Sequence, residues 1–197
     1  MDRENLDRNW AADNLLFFFS SDKNRSGEKA ILIKTEAIFN HMSHKAEYFM
    51  HRAIELAQQA AEQGEVPIGA VVVRDNEIIG RGWNQPVSGC DPSAHAEIMA
   101  LRDAGQALKN YRLNECDLYV TVEPCTMCAG AIIHSRVRKV YYGTAEARTG
   151  VNESICNLFA QPWYNHRVEV EGGLLQGKCR SLLKQFFTER RKKAEDR

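Results

Sequence analysis

No apolar run in this 197-residue chain approaches the roughly 20 residues a helix needs to cross a bilayer. The longest candidate, 15–19, is short and follows an acidic stretch rather than a basic one, so it reads as neither a membrane span nor the core of a secretory leader. The expectation is a protein that is neither exported nor membrane-bound. Net charge is also missing, because 26 basic residues balance 26 acidic ones. No internal repeat is visible, which sets repeat architectures aside. Among the 6 cysteines, Cys90, Cys116, Cys156 and Cys179 show no paired pattern, which argues against a disulfide framework and for a reducing, cytoplasmic setting. What remains is the composition of an ordinary globular domain, 44% hydrophobic and 26% charged, long enough to bury a core unaided.

Zero charge is a sum, and its distribution is uneven. The segment from Lys178 to Arg197 carries an excess of five positive charges, so the rest of the chain carries the opposite excess. A polyanionic partner at the C-terminal end would explain this, and so would a solvated helix face. Residues 1–43 mix polar residues with two short apolar patches and keep no sustained period, so they read as an N-terminal extension, with Met42 as the expected natural start. Residues 44–193 read as the working domain and 194–197 as a tail.

Within that domain, apolar positions from Ala46 to Gln63 recur at three and four, as in an amphipathic helix closed by Gly64. Two β-rich runs, 67–73 and 77–83, flank Asp75-Asn76 and predict an antiparallel hairpin. Asp91-Pro92 offers a cap and first-turn proline for a helix through about Ala104. Leu118–Val122 is continuously apolar and predicts a strand covered on both faces. A helix opened by Pro124, strands over 137–143 and 167–171, and a last helix over about 174–193 complete the order αββαβαββα. That order implies a five-stranded mixed sheet with helices on both faces.

The chemistry lies in His95-Ala96-Glu97 followed by Pro124-Cys125-Thr126-Met127-Cys128. One histidine and two cysteines make three zinc ligands and leave the fourth tetrahedral position to water, the arrangement of a catalytic site. Cysteines at i and i+3 lie about 60° apart around a helix, and its first turn favours thiolate. A closed, structural site would need a fourth ligand from Cys90, Cys116, Cys156, Cys179, His134 or His166, none of which has ligand spacing. His134 reads as a structural or interface residue and His166 as a loop hydrogen-bonding one. Glu97 would point about 200° from His95 on an ideal helix, so it suits proton transfer at the water better than a place on the metal.

This spacing is the established signature of zinc-dependent nucleobase deaminases. Further segments, Glu65–Ala70, Gly82–Pro86, Asp91–Leu101, Tyr119–Ala131, Ile133–Arg136 and Asn165–Glu169, closely resemble the bacterial tRNA-specific adenosine deaminases over about 44–191. The resemblance implies a cytidine-deaminase-like three-layer αβα sandwich with a five-stranded mixed sheet, one zinc per subunit and a homodimer. It also implies hydrolytic conversion of the wobble adenosine in a tRNA anticodon stem-loop, that of an arginine tRNA, to inosine. By the same carry-over His95, Cys125 and Cys128 hold zinc, Glu97 shuttles the proton, Asn84 contacts the base, and Val66 and Pro67 wall its pocket. Glu146, Phe187, Arg190 and Arg191 fall at substrate-side positions.

Three of these positions depart from the family pattern. Glu146 stands where a shorter Asp is expected, Gln85 where Arg is common and Thr188 where Arg is frequent, which bears on RNA preference rather than on the metal chemistry. Two other readings share the zinc signature: a deaminase of free guanine or cytosine, and a zinc-stabilised RNA-binding module without activity.

Overall fold

The computed structural model describes the backbone of residues 25–195 and the side chains of residues 44–195; the readings of 1–24 and of 196–197 lie outside them. The chain divides into two units, Met1–Ser43 and His44–Arg197. Helix α1 runs Arg25–Glu62. It therefore begins well before the first residue with a readable amphipathic period, since residues 28–42 contain neither proline nor glycine to stop a helix. Ala60 and Ala61 carbonyls accept the N–H groups of Glu65 and Gly64, and Gly64 takes the left-handed conformation (φ 78°) that ends the helix.

In the second unit, β1 (Gly69–Arg74), β2 (Glu77–Trp83), β3 (Asp117–Val122), β4 (Lys139–Thr144) and β5 (Glu169–Gly172) form one sheet in the order β2-β1-β3-β4-β5. Strand β1 runs antiparallel to both β2 and β3, whereas β3, β4 and β5 are mutually parallel, so the sheet is mixed as expected. The Asp75-Asn76 turn has positive φ at both residues, 50° and 67°, which matches the twist of the hairpin it closes.

Helices α2 (Ala96–Leu108), α3 (Thr126–His134) and α4 (Gln176–Glu195) complete the layers. Alternation along the central strands sorts the core. Ala70, Val72, Leu118 and Val120 pack with Ala100, Leu101, Ile132 and Ile133 of α2 and α3. Val71, Val73 and Tyr119 pack with Phe49 of α1 on the other face, where Met50, Ala53 and Ile54 meet Cys179 of α4. Both faces of β3 are thus covered, which is why four of the five residues Leu118–Val122 are apolar and buried.

Two details set the position of the site. Gly80 and Gly82 lie directly under the backbone of α2, and a Cβ at either would run into the Ala100 or Ala96 carbonyl; glycine lets the helix sit against β2 itself. Gly69 pairs with Trp83 and Ala70 with Val120, so the start of β1 and the ends of β2 and β3 share one margin of the sheet. Both α2 and α3 begin at that margin.

The sequence misplaced two helix starts. Helix α2 begins at Ala96, not after Asp91, because the Asp91 carboxylate accepts the N–H and hydroxyl of Ser93 and closes a separate turn. Helix α3 begins at Thr126, with Cys125 as the flanking cap residue rather than a helical one.

Candidate active site

His95 and Cys125 are both N-cap residues with extended backbones, φ −75° and ψ 153° for His95, φ −81° and ψ 173° for Cys125, and neither side chain caps its own helix. Both are free to point elsewhere, and they converge. His95 Nδ1 lies 3.7 Å from Cys125 Sγ and 3.6 Å from Cys128 Sγ. All three ligand atoms lie within 4.8 Å of one another. A tetrahedral ion with bonds of about 2.0 Å to nitrogen and 2.3 Å to sulfur needs an N···S separation of about 3.6 Å, so donor set and spacing both fit zinc.

The protons of the cluster follow from its geometry. A hydrogen bond from Cys128 and another from His95 lower Cys125 to about 4, against its burial, which makes it the standing thiolate. Cys128 is driven far up by its bond to the Cys125 sulfur and by burial, so it keeps its proton until a cation replaces it. His95 is raised, first by its hydrogen bond to Cys125. A cation entering this site would therefore displace protons from Cys128 and His95.

Glu97 is 4% exposed. Burial raises its carboxyl from 4.5 to about 7, and the Cys125 thiolate adds to the rise; the hydrogen bond from Cys128 acts the other way. The 200° separation expected between His95 and Glu97 does not hold, because His95 precedes the helix and its extended backbone swings the imidazole round to the carboxylate's side. The cluster and the acid thus share one environment.

Asn84, just after β2, is buried, and its Oδ1 accepts the Ala96 N–H (3.1 Å), tying the end of β2 to the first residue of α2. Its own N–H reaches the Ile68 carbonyl (3.0 Å), next to the buried Pro67 and the half-buried Val66. Gln85 is fixed through its backbone to Ala94 (2.9 Å). These residues therefore lie at the same sheet margin as the cluster.

The C-terminal residues stand apart in their contacts. Phe187 is 45% exposed and meets Phe186 edge-on, Arg190 lies over the Phe186 ring at 5.4 Å, and Arg191 reaches Thr188 (3.4 Å). Their partners lie along α4 and not in the cluster. Helix α4 buries only Cys179 fully, with Leu175 and Leu182 packed beside it. His166 makes the predicted loop contact, Nε2 to the Val137 carbonyl at 2.7 Å, and His134 is exposed.

Sequence reasoning assigned no role to two glutamates. Glu123, 3% exposed, accepts backbone N–H groups from Glu146 (3.0 Å), Asn152 (2.8 Å), Glu153 (2.9 Å) and Ser154 (3.2 Å), together with the Ser154 hydroxyl. Burial alone would raise its pKa, but the bonds from Ser154, Glu153, Glu146 and Asn152 outweigh burial and hold it below the ordinary carboxylate range. Glu65, 2% exposed, accepts the N–H groups of Val87 (3.0 Å) and Ser88 (2.7 Å). The available signal was a charge abutting an apolar segment, Glu123 after β3 and Glu65 before Val66-Pro67-Ile68, since a buried charge must find partners.

Comparison with known proteins agrees with this geometry. Residues 43–144 match the family described as the cytidine and deoxycytidylate deaminase zinc-binding region. The chain is 47% identical over 146 residues to the tRNA-specific adenosine deaminase of Haemophilus influenzae, covering 74% of this chain and 84% of that one. It is 44% identical over 147 residues to its namesake from Bacillus subtilis, covering 75% and 91%. A solved structure from a study of A-to-I editing by tRNA:A34 deaminases superposes with a TM-score of 0.67 at 44% identity, over 69% of this chain and 99% of that one. A guanine deaminase from Nitrosomonas europaea superposes at 0.63 with 27% identity, over 71% and 83%.

Proposed function

Because the chain belongs to the cytidine and deoxycytidylate deaminase zinc-binding family, we propose that it is a tRNA-specific adenosine deaminase. It converts the wobble adenosine of an anticodon loop to inosine and releases ammonia. The observation that carries the chemistry is the meeting of His95 Nδ1 with the Cys125 and Cys128 sulfurs at zinc-ligand spacing beside a buried carboxylate. The identity to named tRNA deaminases over about three quarters of the chain supports the substrate.

His95, Cys125 and Cys128 would hold one zinc per subunit. Bound there, the ion supplies Lewis-acid activation of a water molecule. Glu97 takes a proton from that water as oxygen adds to C6 of adenine, and passes it to the ring nitrogen. It then takes the proton of the hydroxyl added at C6 and delivers it to the departing amine as the C6 carbonyl forms and the C–N bond breaks, so that adenosine and water become inosine and ammonia. A carboxyl held near 7 can accept and return a proton at neutral pH. Asn84, anchored through its carbonyl, keeps its amide N–H₂ for the base, and Val66 and Pro67 wall the pocket. The wobble base sits in a single-stranded loop, so splaying it out costs little.

Glu146, in the loop that pairs with Cys125 through Gly150, and Phe187, Arg190 and Arg191 on α4, would meet the RNA. The subunit would act as a homodimer on an arginine tRNA in the cytoplasm. Among the described residues no helix is long and apolar enough to cross a membrane. Residues 1–43 would be an extension without catalytic role ahead of the deaminase domain at 44–193. Removing residues 1–41 should then leave activity and thermal midpoint nearly unchanged, and a large loss of either would end that assignment.

The deciding experiment incubates the protein with a synthetic anticodon stem-loop, sequences the product for inosine, and assays ammonia release from free guanine and cytosine in parallel. Turnover of a free base with none on the RNA would replace this reading with the small-molecule one. Charge reversal at Arg190 and Arg191 should lower RNA affinity and flatten its salt dependence by about two phosphate contacts while zinc content holds; unchanged affinity would leave α4 merely solvated.

A further inference from the structure

Glu123 lies two residues before Cys125, and what it holds is the long connection after β4. Residues 146–154 of that connection fold back on the carboxylate. Its Oε1 accepts the N–H groups of Asn152, Glu153 and Ser154, and its Oε2 accepts the Glu146 N–H and the Ser154 hydroxyl. The same loop also pairs with the metal-ligand segment itself: Gly150 bridges Cys125, and the Val151 N–H reaches the Pro124 carbonyl at 3.1 Å. Gly150 sits so close that a Cβ there would strike the Glu123 carboxylate and the Glu146 carbonyl. The loop is thus wrapped around one side chain.

We propose that Glu123 is a positioning residue for substrate, holding the 146–154 loop against Cys125 so that Glu146 and Arg148 stand at the mouth of the metal cluster. Glu146 is half-buried and its own Oε1 accepts the Arg148 N–H at 3.0 Å, so fixing the Glu146 backbone fixes both side chains' origins. Only an anionic, two-oxygen acceptor serves all five donors. The inference rests on the reading above that Glu146 faces RNA.

Glutamine at this position is a selective probe. Its single carbonyl can replace Oε1 and keep Asn152, Glu153 and Ser154, but its N–H₂ then faces the Glu146 N–H, while the Ser154 hydroxyl can turn to accept. Glu123→Gln should therefore free Glu146 and leave the rest of the loop in place. Measured on the zinc-loaded enzyme by hydrogen exchange, the Glu146 amide should exchange about tenfold faster, with Asn152 to Ser154 far less affected. Zinc stoichiometry should match wild type, and KM for the anticodon stem-loop should rise about tenfold with little change in kcat.

Gly150→Ala pushes the loop off the same carboxylate from the other side and should raise KM likewise, which keeps the test open if Glu123→Gln folds poorly. An unchanged Glu146 exchange rate, loss of zinc, or a fall in kcat without a rise in KM would overturn the proposal, the last two by making Glu123 a support of the metal ligands instead. Hydrogen exchange and metal content need no substrate, so they judge Glu123 even if the stem-loop proves not to be one.

Discussion

Two glutamates flank the candidate metal-binding residues at equal distances in the chain, Glu97 two residues after His95 and Glu123 two residues before Cys125, and both are buried. Their surroundings are opposite. The region around Glu97 offers it one backbone hydrogen bond and one from Cys128 in a site where burial dominates, so its carboxyl rises to about 7. The region around Glu123 offers four backbone N–H groups and a hydroxyl, and its carboxyl falls below the usual range. Both side chains are nearly inaccessible, but Glu97 is the more deeply desolvated and has the Cys125 thiolate beside it, so depth, neighbouring charge and the supply of donors together set the sign. A carboxylate left short of donors is ready to exchange a proton, whereas one saturated with them is committed to holding backbone. On the proposed function the first would serve chemistry, while the second serves architecture.

The largest effect expected from this contrast is on turnover. Glu97→Gln should cut inosine formation at saturating RNA by about 10²- to 10⁴-fold or more while metal analysis finds zinc retained. Because the amide relieves a desolvated carboxylate, the thermal midpoint should hold or rise. Substantial remaining activity would mean that the proton is moved by another group, and the contrast would lose its catalytic half.

Glu123→Ala should do the reverse and act first on stability. It strands partly buried N–H groups that were bonded to a charge, at a cost on the order of 2 kcal/mol, read from urea unfolding. The pH dependence sharpens this. A carboxylate whose folded pKa is depressed contributes its stabilisation fully above its unfolded pKa near 4.5 and loses it as pH falls through the folded value. The stability gap between wild type and Glu123→Ala should therefore be widest at neutral pH and shrink on strong acidification. A gap that is flat or grows in acid would show that Glu123 is not held as the anion.

The contrast also explains which parts of the molecule were legible in advance. His95, Cys125 and Cys128 declare themselves because ligand chemistry restricts residue type and spacing, and Leu118–Val122 because a strand covered on both faces admits few polar side chains. Asp91-Pro92 misled because an aspartate that closes a turn through Ser93 has the same local sequence as one that caps a helix. Placing His95 one residue before α2, rather than inside it, reverses the geometric argument that parted it from Glu97. Glu123 was opaque for another reason: its partners lie 23 to 31 residues downstream in a connection without periodicity, and only the fold brings them back.

Glu65 supplies the smallest and most discriminating measurement, because it falls between the two. It is as buried as Glu97 and Glu123, but it has two backbone donors, Val87 and Ser88, and both reach the same oxygen, Oε1. A glutamine carbonyl can accept both bonds in that position, so Glu65→Gln removes a charge without stranding a donor. If donor supply governs these buried carboxylates, the loss should be about 1 kcal/mol or less by urea unfolding, with the 87–88 amides still protected from exchange. A loss as large as that of Glu123→Ala would mean that charge itself, rather than the count of donors left unpaired, sets the cost, and the ordering of the three glutamates would have to be rebuilt on electrostatics alone.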